Sequence, residues 1–318
     1  MKNITFDVSV VIPFKDEVNM LQGFIDALLL QETNLSYELL IIDSSLESKE
    51  NELNFYSLDY RYIKIKPSEF NHGQTRNCAV GLSKSNYILF TVQDAIPDKK
   101  NWLQLSVDVI KNNNLDACCG GQYVDMAPGK NPVEWSTSNY SLNCDILQFQ
   151  PNKFADLSKE EQRQKSQWDN VNAIYKKESL LNLPFKEILF AEDAQWALDA
   201  LQKGFKIGYK GYPPVLHYHH YNEESAKKRY FAEFYILKKI YDIDPMCPKL
   251  NLKQLISWGR IILKSPLESN QRIKWFVYNL KLHSAKKEAF KSWKNHNKLN
   301  EAESILKYNS PISNANNS

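Results

Sequence analysis

From Val8 to Val124, short β-branched runs alternate with stretches of helical periodicity, and this alternation restricts the fold more than any other feature. Val8–Ile12 is a β-branched run closed by Pro13, the pattern of a buried strand. In residues 20–31, Leu21, Phe24, Ile25, Leu28 and Leu29 share one helical face. Tyr37–Ile42 reads as a second strand ending at Asp43, and 62–65 as a weaker third. A helix is expected over 75–83, a strand over 87–92 ending at Gln93 and Asp94, and a helix over 102–111. A further strand is expected over 117–124 despite Gly120 and Gly121. Such alternation predicts an α/β chain with a mostly parallel central sheet and helices on both faces. In sheets of this kind ligands sit beyond the carboxyl ends of the strands. Lys15 to Glu17, Asp43 and Asp94 all fall there.

Composition narrows the classes. The 318 residues are 43% hydrophobic and 24% charged, which excludes a disordered chain, a collagen and a disulfide miniprotein. With 10 glycines, neither G-x-x-x-x-G-K-[ST] nor G-x-G-x-x-G occurs. The 5 cysteines form no C-x-x-C pair and read as reduced thiols of a cytosolic protein. The apolar run at 8–14 is too short and too soon charged for a signal peptide. No stretch reaches the ~18 apolar residues of a membrane-spanning helix. The formal charge of +3 hides an asymmetry. Basic residues outnumber acidic ones about threefold from Lys227 to Lys298, whereas 1–226 is net acidic.

Residues 10–17 (VVIPFKDE) and 41–45 (IIDSS) resemble family 2 glycosyltransferases of the GT-A (Rossmann-like) fold. Residues 70–77 (FNHGQTRN) with 91–95 (TVQDA) look like the rhamnosyltransferase-like branch. So do Pro184 and Phe185 with 190–193 (FAED), and 215–219 (VLHYH) with Tyr221. The resemblance covers about residues 6–225 and implies a GT-A domain over 1–225. A basic helical C-terminal region would then occupy 226–308, and a disordered tail 309–318.

The resemblance implies an inverting sugar transfer from a nucleotide-diphosphate sugar of UDP or dTDP type. The acceptor would be a saccharide or a lipid-linked saccharide, in surface polysaccharide synthesis. Pro13, Phe14, Glu17 and Asp43 would line the nucleoside pocket. Asp94 matches the last acid of the family's D-x-D motif, which here reads Val92, Gln93, Asp94 and lacks the first acid. With His217 or His219 it would hold Mn²⁺ or Mg²⁺, since such ions take oxygen ligands and Mn²⁺ also accepts imidazole. Arg76 and Asn77 are expected to open a helix, where a guanidinium and a helix N-terminus both favour phosphate. Gln93 belongs to the same donor set. Asp193 would be the general base, taking the acceptor hydroxyl proton. Asp at a helix start is also an ordinary N-cap or first-turn acid. Trp168, Glu192 and Trp196 are the expected acceptor contacts, with Tyr140 as a further aromatic candidate, although most tryptophans are core.

Residues 226–299 interleave Trp, Phe and Tyr with lysines, a pattern that suits a peripheral position on the inner face of the cell membrane. A solvated basic face covering the sheet or making a dimer is the plainer alternative. No nucleic-acid partner is expected. A sugar-nucleotide pyrophosphorylase remains a rival, though it needs a Gly-rich loop after the first strand. So does a non-catalytic GT-A module binding a saccharide or partner chain.

Overall fold

The computed structural model describes residues 6–296. They form two compact units, one of 6–123 with 137–217 and one of 124–136 with 218–296. The expected tail at 309–318 and the end of the helical region at 297–308 lie outside the described residues.

In chain order the first unit contains β1 (Phe6–Phe14), α1 (Val18–Leu29), β2 (Tyr37–Asp43), β3 (Tyr60–Lys64), α2 (His72–Leu82) and β4 (Ser85–Thr91). These are followed by α3 (Trp102–Asn113), β5 (Ala117–Cys119), β6 (Gln122–Tyr123), β7 (Cys144–Leu147), α4 (Lys159–Lys165) and β8 (Asn172–Lys176). The unit closes with α5 (Lys177–Asn182), α6 (Glu192–Gln202), β9 (Ile207–Lys210) and β10 (Val215–Leu216). The second unit carries α7 (Glu223–Tyr241), α8 (Leu252–Lys264) and α9 (Ser269–His296).

An eight-stranded sheet runs in the order β3-β2-β1-β4-β8-β5-β9-β7, as the alternation predicts for an α/β chain. β1 pairs parallel with β2 and β4, and β5 pairs parallel with β9. β1 is buried on both faces, hence its continuous apolar run. Val8, Val10, Ile12 and Phe14 pack with Leu21, Phe24, Ile25 and Leu28 of α1 and with Trp102, Leu103 and Ile110 of α3. On the other side, Phe90 meets Tyr175 and Phe185 edge-on, and Tyr175 meets Trp196.

Two details position the rim. β8 runs antiparallel between β4 and β5, with Thr91 opposite Asn172. Its entry loop therefore lies at the rim where β4 ends. The strand expected over 117–124 is instead broken at Gly120 and Gly121, and β6 leaves the main sheet to pair with β10. The cause is close packing: a Cβ on Gly120 would sit 2.3 Å from Asn172 Nδ2 and 2.7 Å from the Tyr212 ring. Asn172 spans the break, donating to the carbonyls of Gly121 and Pro213 while accepting from Trp102 Nε1.

In the second unit, Phe231 and Phe234 of α7 pack with Phe290 and Trp293 of α9. Ile262 of α8 packs with Leu267 and Trp275, with Val133 and Trp135 against them. The segment 124–136 thus belongs with the C-terminal helices.

Candidate active site

The carboxyl rim gathers the first unit's functional groups. β1 and β2 end in register, Phe14 opposite Asp43. Asp43 is fully buried, and its Oδ1 accepts the Ser45 N–H at 2.7 Å. The neighbouring loop is tied down twice. Asp16, at φ 56°, donates its N–H to Ser45 Oγ. Gln93 pairs with Lys15 like a second peptide group, accepting its N–H at 2.9 Å and donating to its carbonyl at 3.3 Å. Gln93 therefore fixes the first-strand loop. Phe14 is a core side chain, and it offers the rim only its carbonyl, taken by Ser44. Pro13 and Glu17 are partly exposed on this loop.

Beyond β4, Val92 packs against the apolar core, so the first position of the acid motif faces inward. Asp94 Oδ2 lies 3.5 Å from His217 Nε2. The imidazole arrives from the end of β10, where the His217 N–H bonds the Tyr123 carbonyl. Its Nδ1 is 2.7 Å from Gln122 Oε1. A carboxylate oxygen and an imidazole nitrogen converging at the rim are a donor set suited to a divalent cation such as Mn²⁺. His219 follows two residues on, in the second unit.

Asp193 lies in the first turn of α6. It follows Ala191, whose φ of 56° is left-handed backbone that alanine adopts at a cost. Its Oδ1 accepts the Ala194 N–H at 2.7 Å and its Oδ2 the Asn170 N–H at 3.2 Å. The loop bearing Asn170 is held by a buried relay, Trp168 Nε1 to Tyr175 Oη to Asn170 Oδ1, each step 2.6 Å. Burial pushes the Asp193 carboxyl up to about 7. The Glu192 charge adds to this, Arg76 opposes it and Asp169 supports it. A carboxylate raised toward neutrality is a stronger base than an ordinary one. Asp169 is itself raised, chiefly by burial, with the Val171 N–H, the Gln122 amide and the nearby His217 acting against that. Gln122, His217 and Asp94 thus lie in contact at the rim, with Asp169 and Asp193 near enough to act on each other by charge.

Several expected residues stand elsewhere. Arg76 does not open a helix, because Asn71 caps α2 and accepts the Gln74 N–H. Arg76 is buried and ion-paired with Glu192, which is equally buried, so these two charges face each other rather than a donor or an acceptor. Asn77 brackets the backbone of Phe185, donating to its carbonyl and accepting its N–H. Trp168 and Trp196 are core, locked with Tyr175 in an aromatic cluster, so neither offers an open sugar platform. Tyr140 is exposed.

Residues 9–183 match the family model described as glycosyl transferase family 2. The chain belongs to glycosyl transferase family 2. It is 32% identical over 206 residues to the O-antigen chain rhamnosyltransferase WbaN of Salmonella anatum, an alignment covering 63% of this chain and 62% of that protein. It is 27% identical over 228 residues to the O-antigen chain rhamnosyltransferase RfbN of Salmonella typhimurium, covering 70% of each. The fold is similar to that of S. aureus TarS 1–349, solved in complex with UDP-GlcNAc, with a TM-score of 0.51 at 14% identity over 91% of this chain and 92% of that one.

Within this family 2 chain, Asp169 and Gln122 escape a reading of the sequence. Asp169 follows Trp168 in a segment whose aromatic residue is its evident feature, and Gln122 follows a glycine pair inside an apparent strand. Only the break at Gly120 and Gly121, and the reversed direction of β8, bring them to the rim.

Proposed function

We propose that the chain is an inverting glycosyltransferase acting in surface polysaccharide synthesis. It would transfer a sugar from a nucleotide-diphosphate donor of UDP or dTDP type to a saccharide or lipid-linked saccharide. Rhamnose is the sugar in the names of both Salmonella relatives. The observation that carries this reading is the Asp94–His217 carboxylate–imidazole pair at the rim where β4 ends, with the raised Asp193 carboxyl held by the loop that enters β8 at the same rim.

Asp193 takes the proton of the acceptor hydroxyl while that oxygen bonds the anomeric carbon from the face opposite the leaving group. The bond from that carbon to the diphosphate breaks in the same displacement, which inverts the centre and needs no enzyme nucleophile. The Asn170 and Ala194 N–H groups hold the carboxylate in place for this transfer. Asp94, His217 and His219 are the proposed ligands for Mn²⁺ or Mg²⁺. When bound, that ion neutralises charge on the departing diphosphate. Asp43, at the end of β2 beside the first-strand loop that Gln93 clamps, is the proposed anchor of the nucleoside.

The second unit supports a peripheral membrane position. No described helix is long and apolar enough to cross a bilayer. On α8, Leu252 (71% exposed), Ile256 (46%) and Leu263 (67%) form one stripe, flanked on one side by Lys253, Arg260 and Lys264. An outward apolar stripe beside cations fits anionic lipid headgroups over acyl chains.

The test is a panel of UDP-, dTDP- and GDP-sugars incubated with the full chain and Mn²⁺, with nucleoside diphosphate release read by mass spectrometry. One donor should be consumed by the wild type and spared by Asp193→Asn. Nucleotide binding without consumption of any donor would favour a non-catalytic module.

A further inference from the structure

Gln122 stands between two groups at the rim. Its carbonyl Oε1 faces His217, 2.7 Å from Nδ1. Its amide NH₂ is the end suited to the neighbouring Asp169 carboxyl, which only accepts and which the amide helps hold down. A carbonyl also only accepts, so Nδ1 must carry the proton. A neutral imidazole has one N–H, and Nε2 then presents its lone pair toward Asp94, 3.5 Å away.

The backbone holds this arrangement in register. Gln122 pairs with Val215 in the β6–β10 ladder, and the His217 N–H bonds Tyr123. Asp169 is braced by the Val171 N–H on its Oδ1 at 3.1 Å. An imidazole in water prefers the opposite tautomer, with the proton on Nε2, so the protein must impose the one implied here.

We propose that Gln122 is a positioning residue that locks His217 in its Nδ1–H tautomer, leaving Nε2 aimed at a divalent cation shared with Asp94. This rests on the metal reading of Asp94 and His217 given above. Partners of this kind orient a ligating histidine, and losing one typically weakens metal binding about 10–100-fold.

The experiment uses full-length protein labelled with ¹⁵N-histidine, as wild type and Gln122→Leu. Gln122 is exposed, so the variant is expected to fold, and its thermal transition is recorded alongside. Long-range ¹H–¹⁵N correlation of the metal-free protein, recorded at a pH where its spectrum shows a neutral ring, reads the His217 tautomer directly. The wild type should show Nδ1–H, and Gln122→Leu should revert toward Nε2–H. Calorimetric titration with Mn²⁺ alone should show binding about tenfold or more weaker in the variant. A wild-type His217 protonated on Nε2, or a folded variant that keeps both tautomer and Mn²⁺ affinity, overturns the proposal. A wild type that shows Nδ1–H but binds no Mn²⁺ removes the metal reading and the cation half of the proposal, while Gln122 keeps its orienting role.

Discussion

The carboxylate of Asp193 accepts the backbone N–H of Asn170 at 3.2 Å, which ties the first turn of α6 to the loop that enters β8. Asp169 precedes Asn170 on that loop, close enough for its charge to raise Asp193.

Replacing Asp193 with Asn should lower turnover by about 10²–10⁴-fold, the range for a positioned general base. The Asn carbonyl can still accept one of the two backbone N–H groups, so the fold should persist. Nucleotide affinity, measured by calorimetry, should stay within about twofold of wild type, since Asp193 is placed on the acceptor side. Nor should the variant melt earlier at pH 8. Folding raises this carboxyl to about 7, so above that pH the folded state bears the cost of an unfavourable charge, and the amide removes it.

The pH profile follows from the same group. As the proposed base, Asp193 would work deprotonated, so kcat/KM should rise with pH through a limb near 7 and flatten above it. Asp169 raises Asp193 by like charge, so Asp169→Asn should move the limb to lower pH. A limb that stays put in this variant would mean the two carboxylates are not coupled. Steady-state rates across pH 5–9 decide it.

Arg76 and Glu192 face each other with both side chains sealed from water. Removing one partner leaves a buried charge alone, so Arg76→Ala should cost about 3–5 kcal/mol in urea denaturation. Replacing both with methionine should cost far less, because no unpaired charge remains. A single and a double variant of equal stability would show that the pair carries no such penalty.

The α8 stripe makes a lipid prediction. Leu252→Ser, Ile256→Ser and Leu263→Ser together should abolish flotation of the full chain with phosphatidylglycerol vesicles, while sugar transfer to a soluble acceptor continues. Wild-type protein should float with anionic vesicles and not with neutral ones, and less so at high salt. Salt-insensitive flotation would assign the stripe to a different partner.

Much of the sheet is legible because its central strands are buried on both faces and carry continuous apolar runs, as Val10–Ile12 and Leu39–Ile42 do. The helices that cover them announce themselves by period, as Leu21, Phe24, Ile25 and Leu28 do. β7, on the sheet edge and largely exposed, carries no such pattern. Side-chain roles are harder to read. An Arg and a Glu 116 residues apart give no sign that they will bury each other, and a tryptophan reads the same whether it meets a sugar or Tyr175.

The order of residues alone determined the class of fold and the acids that end its strands, because local apolar patterning is a property of neighbours in the chain. The tertiary structure decided which of those groups meet. The antiparallel course of β8 and the close approach of Gly120 to Asn172 and Tyr212 are seen only in the folded chain. Those contacts exist only once segments some forty to fifty residues or more apart have packed, and they carry Gln122, Asp169 and His217 to one rim.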